Sequence, residues 1–151
     1  MMPSNSIDFL YSFLALSMVG MILTAALNSY GGTLKQTSES KQLEELLERV
    51  ESKATYALLL LTENNATLVL SFQMPPKIGD RYYWIRIAND SSSSWVEGGF
   101  GVESRTGEQE YRVYLPRKIH ASGTFESRYM IAQLNCSLAG STPKIVLGRR
   151  E

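Results

Sequence analysis

Residues 7–27 read IDFLYSFLALSMVGMILTAAL and form the only long apolar run in the chain. No Lys or Arg precedes Lys35. As an α-helix that rises ~1.5 Å per residue, the run would extend about 30 Å, which matches the hydrocarbon thickness of a bilayer. The run therefore predicts a helix that can span a membrane and that carries the rest of the chain as a head.

Small and polar residues interrupt the apolar run, namely Asp8, Ser12, Ser17, Gly20 and Thr24. Because small residues allow helix backbones to approach closely, the run suits packing against other helices as well as contact with lipid. The segment alone leaves a plain membrane anchor and a packing helix open. A cleaved secretory signal peptide is disfavoured, because no basic residue precedes the run and the run exceeds the apolar part of such a peptide.

A second helical pattern begins beyond the apolar run. From Leu43 to Leu61 the apolar residues recur at three- and four-residue spacing, which is typical of a helix with one buried face. Charged residues occupy the opposite face, and Glu45 and Arg49 stand four residues apart, where they support each other. This pattern predicts a helix that packs on the core of its own domain.

Gly31–Gly32 lies between the two helical patterns and would be either a bend in one helix or a short break. We favour one continuous helix. We therefore expect a helical region at residues 1–62, in which 7–27 is the apolar part and 33–62 is the amphipathic half. Residues 63–151 then form the head.

The pattern of the head changes to alternation with period two, which is typical of half-buried strands. The clearest strands are Leu68–Met74, Tyr83–Ile87 and Tyr111–Leu115, and weaker ones are Trp95–Glu97, Phe125–Leu134 and Lys144–Leu147. Turn-rich pieces separate them at Pro75–Asp80, Asn89–Ser94, Gly98–Gly99, Thr106–Gly107 and Ser137–Pro143. The sequence thus predicts an α+β protein, with the helix packed on a small antiparallel, sandwich-like β head of five to seven strands.

Composition and motifs give no support for catalysis, a metal or a cofactor. Fifteen basic and fifteen acidic residues balance, so no nucleic-acid partner is indicated. Cys136 is the only cysteine and we expect it to be a small buried thiol, while His120, the only histidine, falls in a predicted loop. No metal-binding, phosphate-binding or catalytic spacing occurs. A surface enzyme therefore has no residues to support it.

Three N-x-[ST] sequons begin at Asn65, Asn89 and Asn135. All three fall in predicted turns or strand edges, where a glycan could project into solvent. We interpret them as candidate N-glycosylation sites, and together they favour a head outside the cell.

The order of these elements resembles the archaeal type IV pilin superfamily. The resemblance covers nearly the whole chain in architecture: a long apolar helix, its amphipathic continuation and a compact β head. In motif it rests on Met74–Gly79 (MPPKIG) and Tyr83–Ile87 (YWIRI) at the start of the head. Precursors of that family carry a short leader with a basic residue and Gly before the helix, and Met1–Ser6 here contains no basic residue.

The resemblance implies a subunit of an extracellular filament, with no enzymatic activity. Its apolar helix would lie in the membrane before assembly and in the filament core afterwards, packed against copies of itself. The head would form the outer surface for adhesion, including contacts with other surfaces or an S-layer, and filaments of this kind are typically glycosylated. The residues expected to pack in the core are Ile7, Asp8, Leu14, Ala15, Ser17, Gly20, Ile22, Thr24 and Leu27.

An alternative function stays open. A single-span membrane-anchored accessory or binding protein with an external β domain would show the same order of elements, as in the stator-type components of the archaeal swimming filament. This alternative requires no polymer, and the apolar helix then serves as an anchor for one chain or a dimer.

Asp8 is the one charged residue in the apolar run, where a carboxylate is costly unless it is paired or hydrated. We expect Ser6 to cap the helix, which would leave Asp8 in the first turn, where the helix dipole favours negative charge. The other interpretation resembles the acidic residue near the start of bacterial pilin helices, which is thought to meet the N-terminal amine of a neighbouring subunit.

Overall fold

A computed structural model describes residues 4–64, 66–102 and 111–150 of the chain. Helix α1 runs from Ser4 to Asn64 and continues unbroken through Gly31–Gly32. Each added residue contributes one more backbone hydrogen bond, so two glycines, at about 1 kcal/mol each relative to Ala, do not interrupt so long a helix. The chain divides into two compact units, the apolar unit Met1–Ser38 and the head unit Glu39–Glu151.

Eight strands follow α1 in the part of the chain that the structure describes. They are β1 (Leu68–Gln73), β2 (Tyr83–Asn89), β3 (Ser94–Phe100), β4 (Tyr111–Tyr114), β5 (His120–Ser122), β6 (Thr124–Glu126), β7 (Ile131–Ala139) and β8 (Thr142–Arg149). They form two four-stranded sheets, ordered β1-β7-β8-β5 and β4-β3-β2-β6. All pairs are antiparallel except β5 with β8, which are parallel.

The amphipathic half of α1 completes the core of the head unit. Leu43, Leu47, Val50 and Leu61 are buried, and they belong to one cluster of apolar side chains drawn from the helix and from both sheets. Burial of each such side chain contributes about 2 kcal/mol relative to exposure. The predicted α+β class, with the helix packed on antiparallel-rich sheets, is confirmed. The compact head unit begins at Glu39, within the predicted amphipathic half.

The predicted turn at Gly98–Gly99 is wrong, because both glycines lie inside β3. A Cβ on Gly98 would stand 2.8 Å from the backbone oxygen of Trp84 and 3.0 Å from Cδ2 of Leu47. A Cβ on Gly99 would stand 3.1 Å from the Trp84 ring. These glycines serve close packing on the two faces of the sheet, and composition alone does not distinguish that use from a turn.

The predicted single strand Phe125–Leu134 is also wrong. A 3₁₀ turn at Ser127–Tyr129 separates β6 from β7, and Met130 closes it with a positive φ of 58°. The hydroxyl of Ser127 accepts a hydrogen bond of 3.2 Å from the backbone N–H of Tyr83, so a contact remote in sequence holds this turn. The chain thereby passes from one sheet to the other.

Two further predictions about loops are corrected. The turn expected at Ser137–Pro143 shrinks to Gly140 and Ser141, because β7 and β8 pair as far as Ala139 with Thr142. Glycine provides the positive φ of 69° that this tight connection uses. His120 is the first residue of β5 rather than a loop residue. The predicted turn Thr106–Gly107 lies outside the described residues.

Candidate functional surfaces

The apolar unit exposes large apolar side chains all around α1. Phe9, Leu16 and Met21 have exposed fractions of 72%, 75% and 73%, and Ile7, Leu14, Ile22 and Leu27 are more than half exposed. A soluble monomer rarely exposes so much contiguous apolar surface. By length and composition this part of α1 is able to cross a membrane. Such a surface is typical of a helix that contacts lipid or other protein.

One face of the apolar unit carries a shallow groove lined by small and polar residues. Its lining residues are Ser17, Gly20, Met21, Thr24, Ala25 and Asn28. Three of the predicted packing residues, Ser17, Gly20 and Thr24, therefore share one face. Ala15 and Ile22 lie about 140–160° around the helix axis from Ser17, at 100° per residue. The predicted set thus surrounds the helix rather than forming one stripe.

The hydroxyl groups in this groove bond to the helix that carries them. Ser17 Oγ donates to the carbonyl oxygen of Phe13 at 2.8 Å, and Thr24 Oγ1 donates to that of Gly20 at 2.8 Å. Hydroxyls satisfied in this way can face lipid or a neighbouring helix without the cost of an unmade hydrogen bond. The groove is therefore compatible with both environments.

The interpretation of Ser6 as a helix cap is wrong. The helix starts at Ser4, so Ser6 lies inside it and no acidic residue occupies the first turn. Adding residues at a helix end is favourable once the helix is nucleated, and this moves the start past Ser6. Asp8 thus lies beyond the first turn, where the effect of the dipole falls off. The other interpretation, in which Asp8 meets the amine of a neighbouring subunit, stays open.

The three sequons differ in their surroundings. Asn65 lies outside the described residues. Asn89, at the end of β2, is half-buried, and its Oδ1 accepts a hydrogen bond of 3.0 Å from the backbone N–H of Ala121. Asn135 is exposed but lies within β7, between Val69 of β1 and Val146 of β8, rather than in a turn or at a sheet edge. Asn89 thus supports the fold, and Asn135 remains open to solvent.

A charged cluster that the sequence did not predict lies on the outer face of β4-β3-β2-β6. The side chain of Glu97 is only 1% exposed and contacts two guanidinium groups. Its Oε1 accepts from Arg86 Nε at 2.6 Å, and its Oε2 accepts from Arg112 Nη2 at 3.1 Å and from Trp95 Nε1 at 2.7 Å. The three charged residues are cross-strand neighbours, Arg86 with Glu97 and Glu97 with Arg112. Charge-assisted bonds from both sides satisfy the buried carboxylate.

Aromatic side chains extend this charged cluster toward solvent. Cζ of Arg112 lies 4.3 Å from the centre of the Trp95 ring, and the Trp95 and Tyr114 rings meet edge to face at 6.3 Å. Tyr114 is 59% exposed. Alternation in β2 and β3 was the only sequence signal for this face, and the strand register was needed to bring its residues together.

Side chains that could bind a metal, and the one cysteine, were the remaining candidates for a chemical site in the head. In the described part of the chain, no three His, Cys, Asp or Glu side chains come together in a way that could hold a metal ion. Cys136 is buried, as predicted, and burial raises the pKa of its thiol to about 11. The chain matches no family model, no curated protein and no solved structure.

Proposed function

We propose that this chain is the structural subunit of an extracellular filament like a type IV pilus. It polymerises with copies of itself through the apolar unit and exposes the head for adhesion. Before assembly the apolar unit lies in a membrane. One observation carries the proposal. The first part of α1 exposes apolar side chains on all sides, and the same helix continues into the core of a folded β head.

The energetics of assembly follow from the residues of the apolar unit. Apolar helix surface gains little hydrophobic free energy on leaving lipid, so close packing of helix against helix must stabilise the filament. Gly20 supports this, because nothing lies within 4 Å of the place where its Cβ would be. A neighbouring helix can approach the backbone there.

An adhesive role for the head is supported by its outer face. Arg112, Trp95 and Tyr114 belong to the residue types that dominate binding energy at protein interfaces. They stand together over the buried carboxylate of Glu97. Such a face can contact another cell surface or an S-layer, and a glycan on exposed Asn135 would modify the opposite sheet.

The hydroxyl groups of the groove are equally consistent with a second candidate, a single-span anchored accessory protein. Because Ser17 and Thr24 bond to their own helix, the helix can remain in lipid without a polymer around it. A dimer through the groove alone would then use one face of α1.

Two matched substitutions separate the two candidates. Gly20→Leu adds bulk inside the groove, and Ala15→Leu adds bulk on the other side of the helix. In a filament core, neighbours surround the helix, so both variants should insert into the membrane and lose fibres. If the chain instead forms only a dimer through the groove, Gly20→Leu should abolish the dimer and Ala15→Leu should leave it intact.

The measurement is negative-stain microscopy of material sheared from cells that make the chain, with an antibody against the head. We expect decorated fibres from the unsubstituted chain and none from either variant at equal membrane content. Undecorated or absent fibres from the unsubstituted chain would exclude the filament. Normal fibres from Gly20→Leu cells would contradict packing through the groove.

A further inference from the structure

Cation–aromatic contacts gather at the end of the head unit where α1 enters it at Glu39. Nζ of Lys77 lies 4.6 Å from the centre of the Tyr82 ring, and Cζ of Arg81 lies 4.2 Å from the centre of the Phe100 ring. Nη1 of Arg81 is also 4.0 Å from Oε2 of Glu39. Arg81 therefore links these contacts to the first residue of the head unit.

The same end holds a ring contacted by two guanidinium groups. Cζ of Arg128 and Cζ of Arg149 lie 4.9 Å and 4.6 Å from the centre of the Tyr129 ring. Met74 lies just before the segment that contains Lys77, between β1 and β2. Its backbone N–H donates to the carbonyl oxygen of Met130 at 2.8 Å. Tyr82 and Arg128 line the same cleft, so the two groups of contacts form one surface. We call it the basal surface and define it by Lys77, Arg81, Tyr82, Arg128, Tyr129 and Arg149.

The basal surface and its immediate neighbours carry an excess of positive charge. Six basic and four acidic residues stand there in the described part of the chain, which leaves an excess of two. The basic residues are Arg49, Lys77, Arg81, Arg128, Arg149 and Arg150, and the acidic residues are Glu39, Glu45, Asp80 and Glu126. The Arg81 and Arg128 side chains are 50% and 60% exposed, and Tyr82 is 52% exposed. Because the whole chain has no net charge, this excess is a local property of one end of the head unit.

We propose that the basal surface binds the anionic headgroups of the membrane that holds the apolar unit before assembly. This inference rests on the membrane-inserted stage of the proposed function. Residues 28–38, in which Lys35 is the only charged residue, join the apolar run to Glu39, which contacts Arg81 of the basal surface.

The chemistry of the side chains matches a headgroup layer. Arg, Lys and Tyr combine an apolar body with a polar tip, and they concentrate at the level of lipid headgroups. A ring covers only one face of a guanidinium, and phosphate oxygens can accept two N–H groups from its edge at once. Arg128 Nη2 contacts Glu126 Oε2 and Arg81 Nη1 lies 4.0 Å from Glu39 Oε2, so a phosphate would compete with these carboxylates. Each basic residue near an anionic surface strengthens binding about five-fold at ordinary ionic strength.

The test uses the full chain in lipid nanodiscs, one set zwitterionic and one with about a third anionic lipid. A dye is attached through Pro76→Cys, in the turn of the basal surface, and in a second sample through Ser141→Cys, in the β7–β8 turn at the other end of the sheet. Buried Cys136 stays unlabelled. Quenching of the dye by acrylamide, which is uncharged and water-soluble, measures how far each site is shielded.

We expect anionic lipid to slow quenching at Pro76→Cys about three-fold or more and to leave Ser141→Cys unchanged. High salt should remove the shielding, because it screens exposed charges. A triple variant with Lys77→Gln, Arg149→Gln and Arg150→Gln should lose the shielding at Pro76→Cys. The matched variant Arg117→Gln, Lys118→Gln, Lys144→Gln removes three charges elsewhere and should keep it.

Four outcomes would overturn the inference. Equal quenching in both lipids, with the chain inserted, would exclude headgroup contact and leave the filament intact. If shielding persists in the variant with three glutamines in the basal surface, the surface makes an apolar contact instead. If shielding appears in zwitterionic discs that hold two copies of the chain, the surface binds a second copy. A chain that does not insert at all would contradict the membrane stage itself.

Discussion

Leu47 of α1 lies directly against Gly98 of β3, so closely that a Cβ on Gly98 would stand 3.0 Å from Leu47 Cδ2. This contact fixes the distance between the helix and the sheet β4-β3-β2-β6. A side chain at position 98 would also meet the backbone oxygen of Trp84, at 2.8 Å. The head unit therefore depends on the absence of one methyl group in the middle of a strand.

We expect Gly98→Ala to lower the free energy of unfolding by about 1–3 kcal/mol, because an overpacked core must shift its neighbours. Gly148→Ala is the matched control, since Gly148 also lies in a strand and nothing surrounds the place of its Cβ within 4 Å. It should be neutral or slightly stabilising. Urea denaturation of the two variants measures the difference, and equal midpoints would contradict the packing argument.

Removing the buried carboxylate should be costly. Glu97→Gln leaves the guanidinium groups of Arg86 and Arg112 beside a neutral amide, and breaking a buried ion pair in this way costs about 3 kcal/mol. The control is Glu126→Gln. The Glu126 side chain is 46% exposed and that of its partner Arg128 is 60% exposed. We expect at most about 1 kcal/mol there. If thermal unfolding shows the same drop in melting temperature for both variants, the Glu97 cluster does not stabilise the head unit more than an exposed ion pair does.

The head unit should fold without the apolar unit. A shortened chain that starts at Ser38 keeps the Leu43–Leu61 face and should be a soluble, β-rich monomer, with Ser38 available to cap the new helix start. A chain that starts at Ala66 lacks that face, exposes the inner sides of both sheets and should aggregate. Size-exclusion chromatography with light scattering distinguishes them. A stable monomer from the shorter chain would show that α1 is dispensable to the core.

The turn between β2 and β3 should lose stability in acid. Oδ1 of Asp90 accepts hydrogen bonds from the backbone N–H groups of Ser92 and Ser93, both at 2.7 Å, and these bonds lower the Asp90 pKa to about 2. The folded pKa of Asp90 lies below the unfolded value of about 3.9. The stability that ionised Asp90 contributes is therefore complete above about pH 3.9 and disappears as the pH falls toward 2.

The difference in unfolding free energy between the native chain and Asp90→Ala should therefore be constant above about pH 5 and shrink below pH 4. Carboxyl resonances followed by NMR during an acid titration give the pKa directly. A value near 4 for Asp90 would mean that the turn does not hold its carboxylate in solution.

The sequence alone determined the properties that depend on residues close together in the chain. The apolar run, the three-and-four spacing of Leu43–Leu61 and the alternation in β1 and β2 are local patterns, and each predicts an element and its buried face. Burial of Cys136 also followed from its neighbours. These patterns were sufficient for the α+β class and for the packing of the helix on the sheets.

Only the tertiary structure decided which strands are neighbours and what their outer faces carry. Arg86, Glu97 and Arg112 come together because β2, β3 and β4 pair in one register, and a shift of one residue would place them on the opposite face. The Gly98–Gly99 pair predicted a turn from composition, and only the contact between Gly98 and Leu47 shows that the pair serves packing inside a strand. Strand register and the contacts of the basal surface depend on residues far apart in the chain, and local periodicity carries no information about such pairs.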